Sequence, residues 1–195
     1  MIELEKGTIM TSIRVLNRDI PIEFIAVDEE SQAPIIAQAQ KMADLINAGD
    51  WEDDQAEAFQ IMNKIVFFRG TISVDGHDLA RPGCDQDDAI FYWQADEFIA
   101  NSDADVHGNT FFHDCWHVMQ FRRAGNKYAT GDTEPVEREV DAINEQIKVG
   151  IKLGNDDREL QFLRDFRDDQ ERIKARLRQG IDKAGPHGAG FPPKD

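Results

Sequence analysis

Two cysteines in 195 residues, Cys84 and Cys115, are too few for a disulfide framework, and reduced thiols in a cytosol suffice. No apolar run approaches the roughly 20 residues that a membrane-spanning helix requires. The opening stretch MIELEKGTIM lacks the basic-then-apolar plan of a signal peptide. The expectation is a cytoplasmic protein, with signal-independent export still open. Basic charge is scarce, with 22 Lys and Arg against 38 Asp and Glu and a net charge of -16. Phosphate backbones and anionic membrane surfaces would repel such a chain, so neither nucleic acid nor membrane is an expected partner. No internal repeat and no clear domain boundary stand out.

What is present suffices for a core. The hydrophobic fraction is 41% and there are 12 Phe, which predicts a globular domain over residues 1–180. The Gly- and Pro-rich end predicts a disordered tail over 181–195. Residues 8–27 read as a hairpin, with Ile9, Ile13 and Val15 on one face and Ile20, Ile22 and Phe24 on the other strand, and NRD as its turn. Pro21 suggests an edge there. A helix is expected over 32–48, and a second one, capped by Asp50, carries Ala58, Ile61, Met62, Ile65 and Phe68 to Gly70. TISV and AIFYW read as strands, with the acid-rich DGHDLARPGCDQDD as loop between them. Asn109 is positioned to cap a helix that ends near Arg123. After the loop AGNKYATGDT, Pro135 suits the first turn of a helix with the stripe Val136, Val140, Ile143, Ile147 and Ile151. A last charged helix is expected over 156–179, burying Leu160, Leu163, Phe166, Ile173 and Leu177. The class is α+β, a small N-terminal antiparallel sheet followed by a mainly helical C-terminal half.

The stretch TFFHDCWHVMQF holds the chemistry. At about 100° per residue, His113, His117 and Gln120 share one side of a helix, Asp114 borders it, and Cys115 points away. Imidazoles at i and i+4 can hold one zinc ion. They can also be satisfied core residues, although burying both without partners costs a few kcal/mol. Downstream, TEPVEREVDAINEQ places Glu137 and Asp141 on one side of the next helix, where a carboxylate could reach the histidines. A solvated acidic face is the plain alternative in a chain with 38 acids.

HDCWHVMQ followed by EREVDA resembles the zincin metallopeptidases of the glutamate-ligand type, whose pattern is His-Glu-x-x-His and then Glu-x-x-Ala-Asp. The match covers about residues 105–150. It implies that His113, His117 and Glu137 ligate Zn2+, that Asp141 supports the site from behind the ligands with Gln120, and that AIFYW lines a substrate cleft. It further implies a zinc-dependent hydrolase that attacks a peptide bond of a protein or peptide substrate. The sequence departs from the pattern at Val140, where Ala is usual, and at Asp114, where the general-base glutamate is usual. Aspartate is one methylene shorter, and a misplacement of about 1 Å can cost about 10²-fold in rate. Asp114 is therefore the candidate base, with Glu134, Glu139 and Asp105 as substitutes.

Two other functions fit parts of the sequence. One is a catalytically weak or inactive zinc-binding interaction protein with a basic partner, its coordination closed by a fourth ligand such as Cys84 or His107. The other rests on FHDC, which resembles secreted phospholipases with His113 as base and Asp114 as calcium ligand. That scheme gives His117 and Glu137 no role. Cys115 reads as a small buried thiol, and the acidic loop around Cys84 blunts it as a nucleophile. His77 and His187 read as solvated.

Overall fold

The structure, a computed structural model, describes residues 11–74, 77–125 and 134–184. Ile9, residues 126–133 and residues 185–195, His187 among them, lie outside the described residues, as do the side chains of His77 and Glu134. The chain is α+β, as its pattern predicts. Strands β1 (Thr11–Val15) and β2 (Arg18–Ile25) form the expected hairpin, with Leu16 at φ 52° in its tight turn. Helices α1 (Glu29–Ala48) and α2 (Asp53–Phe59) follow. Then come β3 (Lys64–Phe68), the short pair β4 (Ile72–Val74) and β5 (His77–Leu79), β6 (Gly83–Asp85) and β7 (Ile90–Gln94). The helical half comprises α3 (Ala95–Ala100), α4 (Ala104–Arg123), α5 (Glu134–Leu153), α6 (Asp157–Asp168) and α7 (Gln170–Ala184).

The main sheet runs β1-β2-β3-β7-β6. It is mixed rather than antiparallel. The outer pairs β1–β2 and β6–β7 are antiparallel, while β2–β3 and β3–β7 are parallel. Pairing with β3 begins at Ile22, so Pro21 sits where β2 is still an edge on that side and its missing N–H costs no ladder bond.

Alternation divides the sheet's two faces. Ile13, Ile22, Ile65, Phe67, Phe91 and Trp93 pack against the helices in the main core, while Val66, Phe68 and Tyr92 face the β4–β5 pair on the other side. The expected helix 50–70 breaks after Phe59, because its apolar residues 65–68 (IVFF) are consecutive. A strand buried on both faces accommodates that run better than an amphipathic helix does. The expected loop 75–88 supplies β5 and β6.

Helix α4 runs through the middle, buried on nearly all sides from His107 to Phe121. It starts at Ala104 after Asp103, five residues ahead of the expected cap. Asn109 is buried inside it. Gly108 lets α1 and α5 approach, since a Cβ there would meet Leu153 Cδ1 at 3.2 Å and Ile46 Cγ1 at 3.7 Å. The last expected helix is two. Asp169, at φ -95° and ψ 80°, ends α6, and its Oδ1 accepts from Arg172 N at 2.9 Å to start α7. Ile173 is fully buried with Val136, Ile143, Ile147, Leu163 and Phe166, and Leu177 packs against that cluster. Ile151 faces solvent at 57% exposure, off the stripe assigned to it.

Candidate metal centre

Helices α4 and α5 cross with their polar residues facing each other. The seam is readable in α5's burial. Val136, Ile143 and Ile147 face α6 and α7, while Ala142 and Val149 face the main core that contains α4. Glu139 is 3% exposed and sits on this α4-facing side. Glu137, two residues and roughly 200° away around the helix, is exposed. The third acid beside the histidines is therefore Glu139, not Glu137. The expectation considered Glu139 only as a substitute base.

His113, His117 and Glu139 offer one atom each within 4.8 Å of one another. His117 Nε2 lies 3.1 Å from His113 Nε2 and 3.0 Å from Glu139 Oε2, and His113 Nε2 lies 3.6 Å from Glu139 Oε1. The three side chains are 4%, 13% and 3% exposed.

Behind the cluster stand the two residues expected to support it. Gln120 Nε2 donates to Asp141 Oδ2 at 2.8 Å and to Arg138 O at 3.1 Å, and Trp116 Nε1 donates to the same Asp141 oxygen at 2.8 Å. Asp141 Oδ2 and Arg138 O only accept, so the amide nitrogen of Gln120 must face them and its Oε1 must face His117 Nδ1, at 3.0 Å. Nδ1 therefore carries a hydrogen, and in the neutral ring Nε2 is a bare lone pair aimed at His113 Nε2 and Glu139. Two states satisfy that arrangement. Either an extra proton sits on His117 and bonds Glu139, or a metal ion sits among the three groups. The donor set fits a metal, and its outer partners Gln120 and Asp141 are of the kind that orient ligating histidines. Gln146, two turns along α5 from Glu139, stands beside His113 and favours its charged form.

No family model, no curated protein and no solved structure matches this chain. Geometry and electrostatics therefore carry the reading of the site.

Burial, against the attraction of Glu139, depresses His113 far below the ordinary imidazole range. Burial would lower His117 too, but its hydrogen bond to Glu139 and that residue's charge outweigh it, and its pKa is raised. Burial would raise Glu139, yet His113, His117 and Arg176 together hold it well below the carboxylate range. The opposite shifts of His117 and Glu139 run in the sense of an ion pair between them.

Asp114 is outside the ligand trio but is 6% exposed and close enough to sense His117, Glu139 and Arg176. Burial pushes its pKa up to about 6 despite a hydrogen bond from Cys84. Cys84 lies on β6, and burial, then the charge of Asp114, push its thiol well above the usual range. Cys115 is fully buried and likewise raised, a packed thiol as expected. His107 is remote in role, its Nε2 2.8 Å from Asn101 O and its ring stacked on Phe98. Asp105 accepts from Asn155 Nδ2 at 3.1 Å. Among the described residues, no helix is long and apolar enough to cross a membrane.

Proposed function

We propose that this protein is a zinc-dependent hydrolase of the metallopeptidase type, with His113, His117 and Glu139 as its metal ligands and a peptide bond as its substrate. The observation that carries the reading is the convergence of two imidazole Nε2 atoms and one carboxylate, with the tautomer of His117 locked by Gln120. Two nitrogens bound to one tetrahedral zinc at 2.0–2.1 Å stand about 3.3 Å apart, close to the 3.1 Å separation here. Three protein ligands leave a fourth position for water or substrate.

A metal held there supplies Lewis acidity toward water and a substrate carbonyl. His113 and His117 present Nε2 as neutral donors. Glu139 supplies the negative charge, and Asp141 holds His117 in register through Gln120. Asp114, next to His113 on α4, would be the group to take a proton from an attacking water. Its pKa of about 6 suits a base that works near neutrality. Cys84, hydrogen-bonded to Asp114, limits how the carboxylate can turn.

The deep burial of all three ligands favours, as a second reading, a zinc-binding interaction protein with little catalysis. The calcium-dependent reading gives no role to the contact between His117 and Glu139.

The experiment is metal analysis of the purified protein with Glu139→Ala, Glu137→Ala and His113→Ala. One zinc per chain, lost in the first and third variants and kept in the second, is expected. Stoichiometric zinc in Glu139→Ala would overturn the ligand set. Hydrolysis of a peptide library by the loaded protein separates enzyme from interaction protein.

A further inference from the structure

Two turns before His113, and about 12 Å from it along α4, a second set of polar groups gathers. Asp105 lies in the first turn of α4 and Glu159 in the first turn of α6. Asn155, in the link from α5 to α6, stands between them. Its Nδ2 lies 3.1 Å from Asp105 Oδ2 and 3.1 Å from Glu159 Oε2. The backbone fixes Asn155 there, since its N–H donates to Gly150 O at 2.9 Å. Burial, and then the charges of Asp105 and Asp156, raise the pKa of Glu159 despite the bond from Asn155.

Two amide oxygens at this spot are left over. Asn155 is 8% exposed, and Asn109, one turn after Asp105, is 5% exposed. The Oδ1 of each is out of contact with water and has no hydrogen-bond partner among the described residues. Both amides lie over Gly150, where a Cβ would meet Asn155 Oδ1 at 2.6 Å and Asn109 Nδ2 at 2.7 Å. A buried amide oxygen without a partner calls for an explanation, and an ion is one. Turning the Asn155 amide over puts Oδ1 where Nδ2 now sits, beside two carboxylate oxygens. It also sends Nδ2 to the Gly150 side, where Asn109 carries an oxygen in need of a donor. Three oxygens so placed repel one another unless a cation sits among them. Oxygens bound to one calcium ion at 2.3–2.6 Å stand roughly 3–3.7 Å apart, which matches the 3.1 Å spacings around Asn155. Two carboxylates balance a charge of +2, and an all-oxygen set selects a hard cation.

We propose that Asp105, Asn155 and Glu159 form a second cation site, distinct from the cluster of His113, His117 and Glu139, which takes a hard divalent cation of the Ca2+ or Mg2+ kind through their side-chain oxygens. The ion ties the first turn of α4 to the first turn of α6, and water completes its coordination. A net charge of -16 draws such cations to the chain. The inference stands apart from the zinc reading, because the two sites share no group.

The test uses the full-length chain, dialysed free of Ca2+ and Mg2+, with CaCl2 or MgCl2 as the probe. Calorimetric titrations and thermal melts are run on the parent and on Asp105→Asn, Glu159→Gln, Asn155→Asp and His113→Ala. The parent is expected to take one ion and to gain about 3 °C in Tm at ten times Kd. His113→Ala keeps that gain, while Asp105→Asn and Glu159→Gln bind at least tenfold more weakly. Asn155→Asp decides between a cation ligand and a mere hydrogen-bond donor. It sets a third carboxylate beside the other two, so its Tm falls without cation, and the cation restores it with a larger shift than in the parent. A loss without that rescue would overturn the proposal. So would a parent Tm that ignores about 10 mM of either salt, well above the weak end of calcium sites, or unweakened binding in both Asp105→Asn and Glu159→Gln. Loss of the shift in His113→Ala would overturn it too, by moving the ion to the histidines. If Asn155→Asp folds only with the cation, circular dichroism on adding the salt reads the rescue.

Discussion

Glu139 Oε2 lies 3.0 Å from His117 Nε2, joining α5 to α4. On the proposed ligand set, Glu139→Ala should weaken zinc binding by at least 10²-fold, because it removes the carboxylate of the trio. Glu137→Ala should change affinity by less than about twofold, since that side chain is in solvent. Competition titration against a chromophoric chelator measures both. Equal losses in the two variants would defeat the assignment.

On the proposed ligand set, a metal would have to displace a proton from His117. Because the raised pKa of His117 reflects a proton bound more tightly in the fold, its contribution to metal-free stability is full below 6.5 and is lost as pH rises through the folded value. Zinc affinity should then climb about tenfold per pH unit while pH lies below that value, and level off above it. Calorimetry in buffers of different ionisation enthalpy should count about one proton released per zinc. A count of zero would remove His117 as the titrating ligand.

Gln120 and Asp141 form a hydrogen-bonded chain to His117 and, on the proposed ligand set, would act through it rather than on the metal. Gln120→Ala and Asp141→Ala should each lower zinc affinity about 10- to 100-fold, the usual range for groups that orient a ligand. Their effects should not add, since both act through the one hydrogen-bonded chain from Asp141 to His117. Additive losses in the double variant would show that the two residues act separately.

Asp114 is a cost to the metal-free fold. Its pKa stands at about 6 against 3.8 in the unfolded chain, so the unfolded state gives up its proton first as pH rises. Stability falls across that window by up to about 3 kcal/mol. Asp114→Asn should therefore gain stability relative to the parent between pH 5 and 7, keep its zinc, and lose hydrolysis by at least 10²-fold. Thermal melts of the metal-free proteins against pH check the first outcome, and a flat difference would contradict it. Retained hydrolysis would assign the base elsewhere.

Much of this was legible in the residue pattern. His113, His117 and Gln120 fall on one side of a helix by spacing alone, and they do so in the fold. Asp141 and Gln120 were identifiable as a supporting pair only through the resemblance, and the structure joins them with a 2.8 Å hydrogen bond. The strand at 64–68 was misread as helix because a run of consecutive apolar residues has no period to distinguish the two. The break at Asp169 was missed because it carries neither Gly nor Pro.

The sequence by itself determined the α+β order, the amphipathic stripes, and the helix that presents two imidazoles together, because these depend on residue spacing along one element. It could not determine which acid meets those imidazoles. The visible apolar stripe of α5, centred on Val136, Ile143 and Ile147, packs against α6 and α7. The side that packs on α4 is marked by Glu139, Ala142, Gln146 and Val149, too small and polar to stand out as a buried face. Only the packing of two helix layers on opposite flanks of α5 turned Glu139 inward and left Glu137 in water.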